Sequence, residues 1–210
     1  MIRIFIADDH AVVREGLKQI VAQHPEMLVA GEAANGYEAL EKVRKEKYDV
    51  VVLDISMPGL SGLDVLKQLK SEMPSMPVLI LSMHSEEQFA VRTLKAGASG
   101  YLTKESAPEE LVSAILRISK GRKYISTSLA EKLALELESD REKPLHHSLS
   151  DREYQVLCLI ASGKRVKQIA EQLHLSEKTV STYRARILEK MGMKTNAELI
   201  RYAIKNGLLE

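Results

Sequence analysis

Five apolar runs recur along the first 120 residues and alternate with stretches whose apolar positions fall every three or four residues. The runs are Ile2–Ala7, Met27–Glu32, Val50–Leu53, Val78–Ser82 and Gly100–Leu102. Between them Val13, Leu17, Ile20 and Val21, then Leu40 and Val43, then Leu63, Leu66 and Leu69 keep helical spacing. Val50–Leu53 is apolar throughout and mostly β-branched, which suits a central strand covered by helices on both faces. Crossovers of this length require parallel strands and right-handed connections, so the pattern predicts an α/β fold with a doubly wound five-stranded parallel sheet. Gly31 and Gly36 bracket the start of the second helix, and Pro74 and Pro77 mark the entry to the fourth strand. Ser106 to Glu109 predicts a capping box at the fifth helix.

After Gly121 this rhythm stops. Leu129, Leu133, Leu135 and Leu137 among Glu, Lys and Ala predict a short amphipathic helix, broken by the charged stretch from Ser139 to Pro144. His146 and His147 belong, on this reading, to a solvated linker. A helix then opens with a capping box, Ser150 with Glu153, and a hydrophobic staple, Leu149 with Tyr154. Val156, Leu157, Ile160 and Ala161 form its apolar face and Gly163 ends it. A shorter helix over Val166–Leu173, a turn at His174-Leu175-Ser176 and a helix over Glu177–Met191 make a helix-turn-helix. The expected organisation is an α/β domain over 1–120, a partly helical linker over 121–147 and a small all-α domain over 148–210.

Composition narrows the class. In 210 residues, 45% hydrophobic and 28% charged, there is material for one large or two small globular cores. One cysteine, Cys158, excludes an internal disulfide and sits in a helical apolar pattern, which predicts a buried, inert thiol in a reducing compartment. The amino terminus meets Asp8-Asp9 without a basic start or a cleavage site, and no apolar run approaches bilayer length. A cytoplasmic protein with no membrane contact is expected. Near-neutrality hides an asymmetry, because residues 148–210 carry 11 basic against 7 acidic side chains. That last third is the part fitted to a polyanion.

The polar residues converge once they are laid on the sheet. Asp8 and Asp9 follow the first strand, Asp54 ends the third, Ser82 ends the fourth and Lys104 follows the fifth. All fall at the carboxyl edge, where open α/β sheets place their chemistry. Three carboxylates there repel one another unless a cation joins them, and a hard divalent ion, Mg²⁺, is the expected partner. With that charge met, Asp54 can act as a nucleophile toward a phosphoryl group, Lys104 can pair with it, and Ser82 can donate to phosphoryl oxygens. His10 and His84 stand at loop-to-helix entries without spaced partners and read as helix-start or surface residues.

These residues, with Pro58-Gly59, Gly62, Ala96-Gly97-Ala98 and Gly100-Tyr101, resemble the receiver domain of two-component response regulators over residues 1–120. The resemblance implies a flavodoxin-like sheet of order 2-1-3-4-5 and makes Asp54 the phosphoacceptor. It implies Mg²⁺ held directly by Asp9 and Asp54, by Asp8 through water, and by the Ser56 carbonyl. Ser82 and Tyr101 match a switch pair in which the hydroxyl moves toward the phosphoryl group and the aromatic ring turns inward. Met83 departs from the smaller side chain often found after the switch hydroxyl, which bears on access to the site and on phospho-lifetime.

On the helix Glu177–Met191, Val180, Tyr183, Ile187, Leu188 and Met191 make an inward stripe. Lys178, Ser181, Thr182, Ala185, Arg186 and Glu189 are left outward. Small side chains let such a helix approach base edges, while Lys178, Arg184 and Arg186 can reach phosphates or guanine, with Thr179 and Lys167 beside them. The runs Leu149 to Glu153, Lys167 to Ala170, Leu175 to Val180 and Lys190-Met191-Gly192 resemble the LuxR-type four-helix DNA-binding domain, and the whole chain resembles a NarL/FixJ-type response regulator. The fourth helix, capped by Thr195 with Glu198, carries Leu199, Ile200, Ala203 and Ile204, which the resemblance assigns to dimer contacts. A transcription regulator rather than an enzyme is implied. Its expected partners are a sensor histidine kinase, double-stranded promoter DNA, RNA polymerase and a second copy of the chain. A phospho-aspartate phosphohydrolase is disfavoured by Ser56, which stands where such enzymes carry a second Asp. A protein-binding adaptor is disfavoured by the basic helix.

Overall fold

The strand Val50–Asp54 (β3) is buried at every position, so its neighbours must cover both faces. They are β1 (Ile2–Ala7), β2 (Met27–Ala33), β4 (Val78–Ser82) and β5 (Gly100–Thr103), all parallel in the order β2-β1-β3-β4-β5. The helices between them are α1 (Ala11–Ala22), α2 (Gly36–Lys45), α3 (Gly62–Glu72), α4 (Glu86–Lys95) and α5 (Ala107–Ile118). The computed structural model describes residues 1–83, 86–126, 129–131 and 144–208, in two units, Met1–Leu133 and Ala134–Glu210. The expectations for His84, for Leu133, Leu135 and Leu137, and for the breaker at 139–143 lie outside the described residues.

One face of the sheet packs Ile4, Ile6, Val50, Val52, Leu79 and Leu81 against Leu17 and Val21 of α1 and Leu111, Ala114 and Ile115 of α5. The alternate residues Phe5, Val51, Leu53 and Ile80 are equally buried on the other face, as the period of a strand requires. Register sets the strand ends level. Ala7 pairs with Leu53, Asp54 with Leu81 and Ser82 with Thr103, so the polar residues that follow each strand meet at one edge. Gly62 is needed for that edge: a Cβ there would lie 1.8 Å from the Asp54 carbonyl oxygen. Its N–H donates to the Ile55 carbonyl at 3.0 Å, folding the start of α3 tightly under the loop after β3.

One local expectation is corrected in this unit. Ser106 does not cap α5 with its side chain; its backbone is already helical (φ −81, ψ −13). The Thr103 hydroxyl accepts from the Ser106 N–H at 3.1 Å, and the Ser106 hydroxyl donates back to the Thr103 carbonyl, so the turn is closed one step earlier. Packing also continues past residue 120. Tyr124 bridges to Gly100, its N–H donates to Ser99 O at 2.8 Å, its hydroxyl donates to Glu110, and Leu129 is buried.

The second unit holds a 3₁₀ turn over Leu145–Ser148 and the helices α6 (Asp151–Ala161), α7 (Val166–Gln172), α8 (Glu177–Lys190) and α9 (Asn196–Lys205). Its core gathers Val156, Leu157, Ile160, Ile169, Leu173, Val180, Ile187, Leu199 and Ala203. Capping boxes open α6 (Ser150 with Glu153) and α9 (Thr195 with Glu198). Glu153 is buried and also accepts from Lys190 Nζ at 2.7 Å, which ties the start of α6 to the end of α8. His146 is not a solvated linker residue. Its ring is buried against Tyr154 and Tyr202, with Nδ1 2.9 Å from the Tyr202 hydroxyl, because the turn lays it on α9. Cys158 is buried, and among the described residues no helix is long and apolar enough to cross a membrane.

Candidate functional site

Asp8 leaves β1, Asp54 ends β3 and Lys104 follows β5, and the level strand ends bring their side chains together. Lys104 Nζ lies 2.7 Å from Asp8 Oδ2 and 3.1 Å from Asp54 Oδ2. Both carboxylates are 1% exposed. The other oxygen of Asp54, Oδ1, is buried and accepts no hydrogen bond among the described residues. Burial pushes the Asp54 carboxyl up to about 6; the Lys104 cation pulls against that shift and the Asp8 charge adds to it. Burial also works against the Lys104 charge, but Asp54 and Asp8 outweigh it and hold the ammonium above its ordinary value. One cation thus faces a cluster of carboxylates.

Asp8, Asp9, His10 and Asp54 each offer one ligand atom within 4.8 Å of the others, a donor set that can hold a metal ion. The three carboxylates fit a hard divalent cation, and the unpartnered Asp54 oxygen is the kind of atom such an ion satisfies. Ser56 follows on the loop that leaves β3, where Gly59 turns the chain at φ +73. Ser82 is fully buried beside the cluster's edge, and its carbonyl accepts from the Lys104 N–H at 2.7 Å, which fixes the loop carrying the lysine. Tyr101 is fully buried on β5, and Met83 is exposed.

Two contributors were not foreseen. His10 precedes α1 without capping it through its side chain; its Nδ1 lies 2.9 Å from Asp9 Oδ1 and 3.2 Å from Asp8 Oδ1, so it belongs to the cluster and is not only a helix-start residue. Arg14, one turn further on, donates to the Asp8 carbonyl at 2.8 Å and to Glu32 at 3.1 Å, fixing the backbone that presents Asp8. The signal available for both was their place at the start of a helix that begins at the site, His10 just before it and Arg14 in its first turn.

The second unit presents a different kind of surface. His174 takes a left-handed conformation (φ 53) in the turn between α7 and α8. The Ser176 hydroxyl caps α8 by accepting from the Thr179 N–H at 3.0 Å. Lys178, Ser181, Thr182, Ala185, Arg186 and Glu189 are all exposed on α8, and Lys167 is exposed on α7. Lys178, Thr179, Thr182, Tyr183 and Arg186 line a shallow hollow of about 290 Å³. Arg184 is turned away from that face: its Nε donates to Asn196 at 2.6 Å and secures the start of α9. The Thr179 hydroxyl is likewise engaged, 2.8 Å from that of Ser176.

The dimer-helix expectation needs correction. Leu199 and Ala203 are fully buried in the core of this unit, so they are not available to a second chain. Ile200 is half-buried and Ile204 is 63% exposed, because four apolar residues at spacings of one and three split between two faces of α9.

A parallel sheet with buried acids and a lysine at its carboxyl edge, joined to a helix-turn-helix with an open basic face, defines a receiver coupled to a DNA reader. The chain belongs to the two-component response regulators with a LuxR-type DNA-binding domain, which regulate transcription under control by phosphorylation. Residues 4–116 match the family described as "Response regulator receiver domain", and residues 147–203 match "Bacterial regulatory proteins, luxR family". Response regulator UvrY of Escherichia coli (strain K12) is 37% identical over 209 residues, 99% of this chain and 96% of that protein. Response regulator GacA of Pseudomonas aeruginosa is 37% identical over 211 residues, 100% of this chain and 99% of that protein. Among solved structures, RcsB from Salmonella enterica serovar Typhimurium, bound to promoter rprA with the phosphomimetic BeF3-, aligns with a TM-score of 0.65 and 28% identity. That alignment covers 96% of this chain and 98% of RcsB.

Proposed function

We propose that Asp54 is the phosphoacceptor and that the exposed face of α8 reads promoter DNA. The observation that carries the first part is the Asp54 carboxylate itself, buried at the carboxyl edge with Lys104 on one oxygen and Asp8 and Asp9 beside it. An oxygen of Asp54 attacks the phosphorus of a phosphohistidine on a sensor kinase; the P–O bond forms as the P–N bond breaks, and the imidazole leaves with its electron pair. Lys104 neutralises the phosphoryl oxygens, and Ser82 donates its hydroxyl to them while Tyr101 keeps the space behind it filled. Asp9, Asp54 and the Ser56 carbonyl, with Asp8 beside them, would hold Mg²⁺, which would supply the charge neutralisation that lets a carboxylate meet an anionic donor.

The protein is then a stoichiometric phosphoacceptor in the cytoplasm, not an enzyme that turns over a substrate. Phosphorylation favours a dimer on DNA, with Ile200 and Ile204 of α9 available to the second copy, and the bound dimer acts on RNA polymerase. The homologous RcsB bound to promoter DNA supports this reading. Incubation with acetyl phosphate and Mg²⁺, read by mobility of the phosphorylated form, tests it: label enters the wild-type chain and none enters Asp54→Asn. Label retained by that variant would place the acceptor elsewhere.

A further inference from the structure

We propose that His10 is a nitrogen ligand of the cation site, which makes the site of this chain selective for borderline transition ions such as Co²⁺ and Zn²⁺ over Mg²⁺. The inference deepens the reading of Asp8, Asp9 and Asp54 as the cation site and rests on it. His10 Nδ1 stands 2.9 Å from Asp9 Oδ1 and 3.2 Å from Asp8 Oδ1. Two ligands in adjacent positions around an ion with bonds of about 2.1 Å are separated by about 3.0 to 3.4 Å, for octahedral and tetrahedral arrangements respectively. These separations are those of a ring hydrogen-bonded to the acids, and they equally fit neighbouring ligands of one ion once the nitrogen lone pair replaces the N–H. Asp54 completes the group within 4.8 Å, and its buried Oδ1 lacks a hydrogen-bond partner among the described residues.

The backbone holds the ring there. His10 is the residue before α1, and its N–H donates to Asp8 Oδ1 at 2.8 Å, so the loop folds back on the cluster. The imidazole is 59% exposed, which leaves Nε2 open to solvent. Ligation needs the Nδ1 lone pair; the ring proton then resides on Nε2, where water accepts its hydrogen bond, and no redox partner is required. An all-oxygen site suits Mg²⁺, whereas adding one imidazole raises affinity for later first-row ions and does little for Mg²⁺. The consequence is competition: a transition ion held by His10 and the acids occupies the position that the phosphorylation reaction needs.

Co²⁺ is the probe, since its visible spectrum reports nitrogen ligation and geometry. The full-length chain is titrated with Co²⁺ and, separately, with Mg²⁺, alongside His10→Ala, Asp9→Asn and Asp54→Asn, with thermal melting in chelator confirming that each variant is folded. The expected result is a Co²⁺ site at least tenfold tighter than the Mg²⁺ site, abolished by Asp9→Asn and weakened at least tenfold more for Co²⁺ than for Mg²⁺ by His10→Ala. Equal losses for both ions would make His10 a positioning residue for Asp8 and Asp9 and overturn the proposal. So would Co²⁺ binding that persists in Asp9→Asn and Asp54→Asn, which would place it on other histidines. Phosphorylation from acetyl phosphate with Mg²⁺ is followed in the same wild-type sample: label on Asp54 with no selective effect of His10→Ala sinks this inference alone, and no label on Asp54 sinks the parent reading.

Discussion

The carboxyl edge of the sheet and the outer face of α8 are opposite solutions to handling phosphate. At the sheet edge the charges are buried and crowded, Asp8 and Asp54 sharing one lysine. On α8, Lys178 and Arg186 stand in solvent on the side away from the core. A buried charge cluster is already under electrostatic tension before any ligand arrives, so its properties are built into the fold. An exposed basic face has little internal energy at stake and acquires meaning only from the polyanion it meets. Mutations at the first should therefore change chemistry and stability together, and mutations at the second should change binding while leaving the fold alone.

The widest separation is expected at Asp54. Asp54→Asn abolishes phosphoryl incorporation yet leaves the helix-turn-helix intact, so basal DNA binding persists and only its response to acetyl phosphate is lost. Gel shifts of both proteins, with and without the donor, check this; a variant that loses basal binding would mean that the acid cluster has a wider structural role. Next in size is a contrast within α9. Leu199→Ala removes a fully buried side chain and should cost about 2 to 5 kcal/mol of stability, whereas Ile204→Ala, on the exposed face, should stay within about 0.5 kcal/mol. Denaturant melts measure both. Ile204→Asp should then weaken self-association of the phosphorylated chain, by sedimentation, without unfolding it.

That contrast also marks what was legible in the sequence. The positions of Asp8, Asp54, Ser82 and Lys104 could be read directly, because strand alternation and right-handed crossovers leave one place for residues that follow successive parallel strands. The outward face of α8 was equally legible from its 3.6-residue period. Leu199 and Ala203 were not separable from Ile200 and Ile204, since a period says that a helix has a buried stripe but four adjacent apolar residues span two. Arg184 and His146 were misplaced for a related reason: each is held by a residue distant in sequence, Asn196 or Tyr202, that no local pattern reveals. His10 and Arg14 join the acid cluster through the direction of their side chains at the start of α1, a choice made by the loop and invisible to hydrophobic spacing.

A smaller effect sharpens the solvent-exposed side of the comparison. Replacing Lys178 and Arg186 with Ala should lower operator affinity by about 1 to 3 kcal/mol and reduce the magnitude of the slope of log affinity against log salt by about two, one for each phosphate that the variant leaves unneutralised. Fluorescence anisotropy over a salt series gives both numbers. An unchanged slope would remove these residues from the interface. Arg184→Ala, whose guanidinium is already committed to Asn196, should leave the slope alone and lower stability instead.

The smallest effect tests the buried side through pH. With Asp54 raised to about 6 in the folded chain and an unfolded carboxyl near its ordinary value, the folded state binds more protons between those limits. Stability without divalent cation should therefore fall as pH rises across that window, by at most about 1.4 kcal/mol per pH unit from this one group. Glu32, held low by its hydrogen bond from Lys18, and Glu38, held low by that from Lys42, act in the opposite sense below their ordinary values. The informative quantity is thus the difference between wild-type and Asp54→Asn in chelator, from urea melts between about pH 4.5 and 7. The variant should gain relative to wild type as pH rises, because it no longer carries a buried carboxylate that must ionise, and a divalent cation should erase the gain by stabilising the wild type alone. A difference independent of pH would mean that Lys104 already neutralises Asp54 in full, and that the acid cluster is no more strained than the open face of α8.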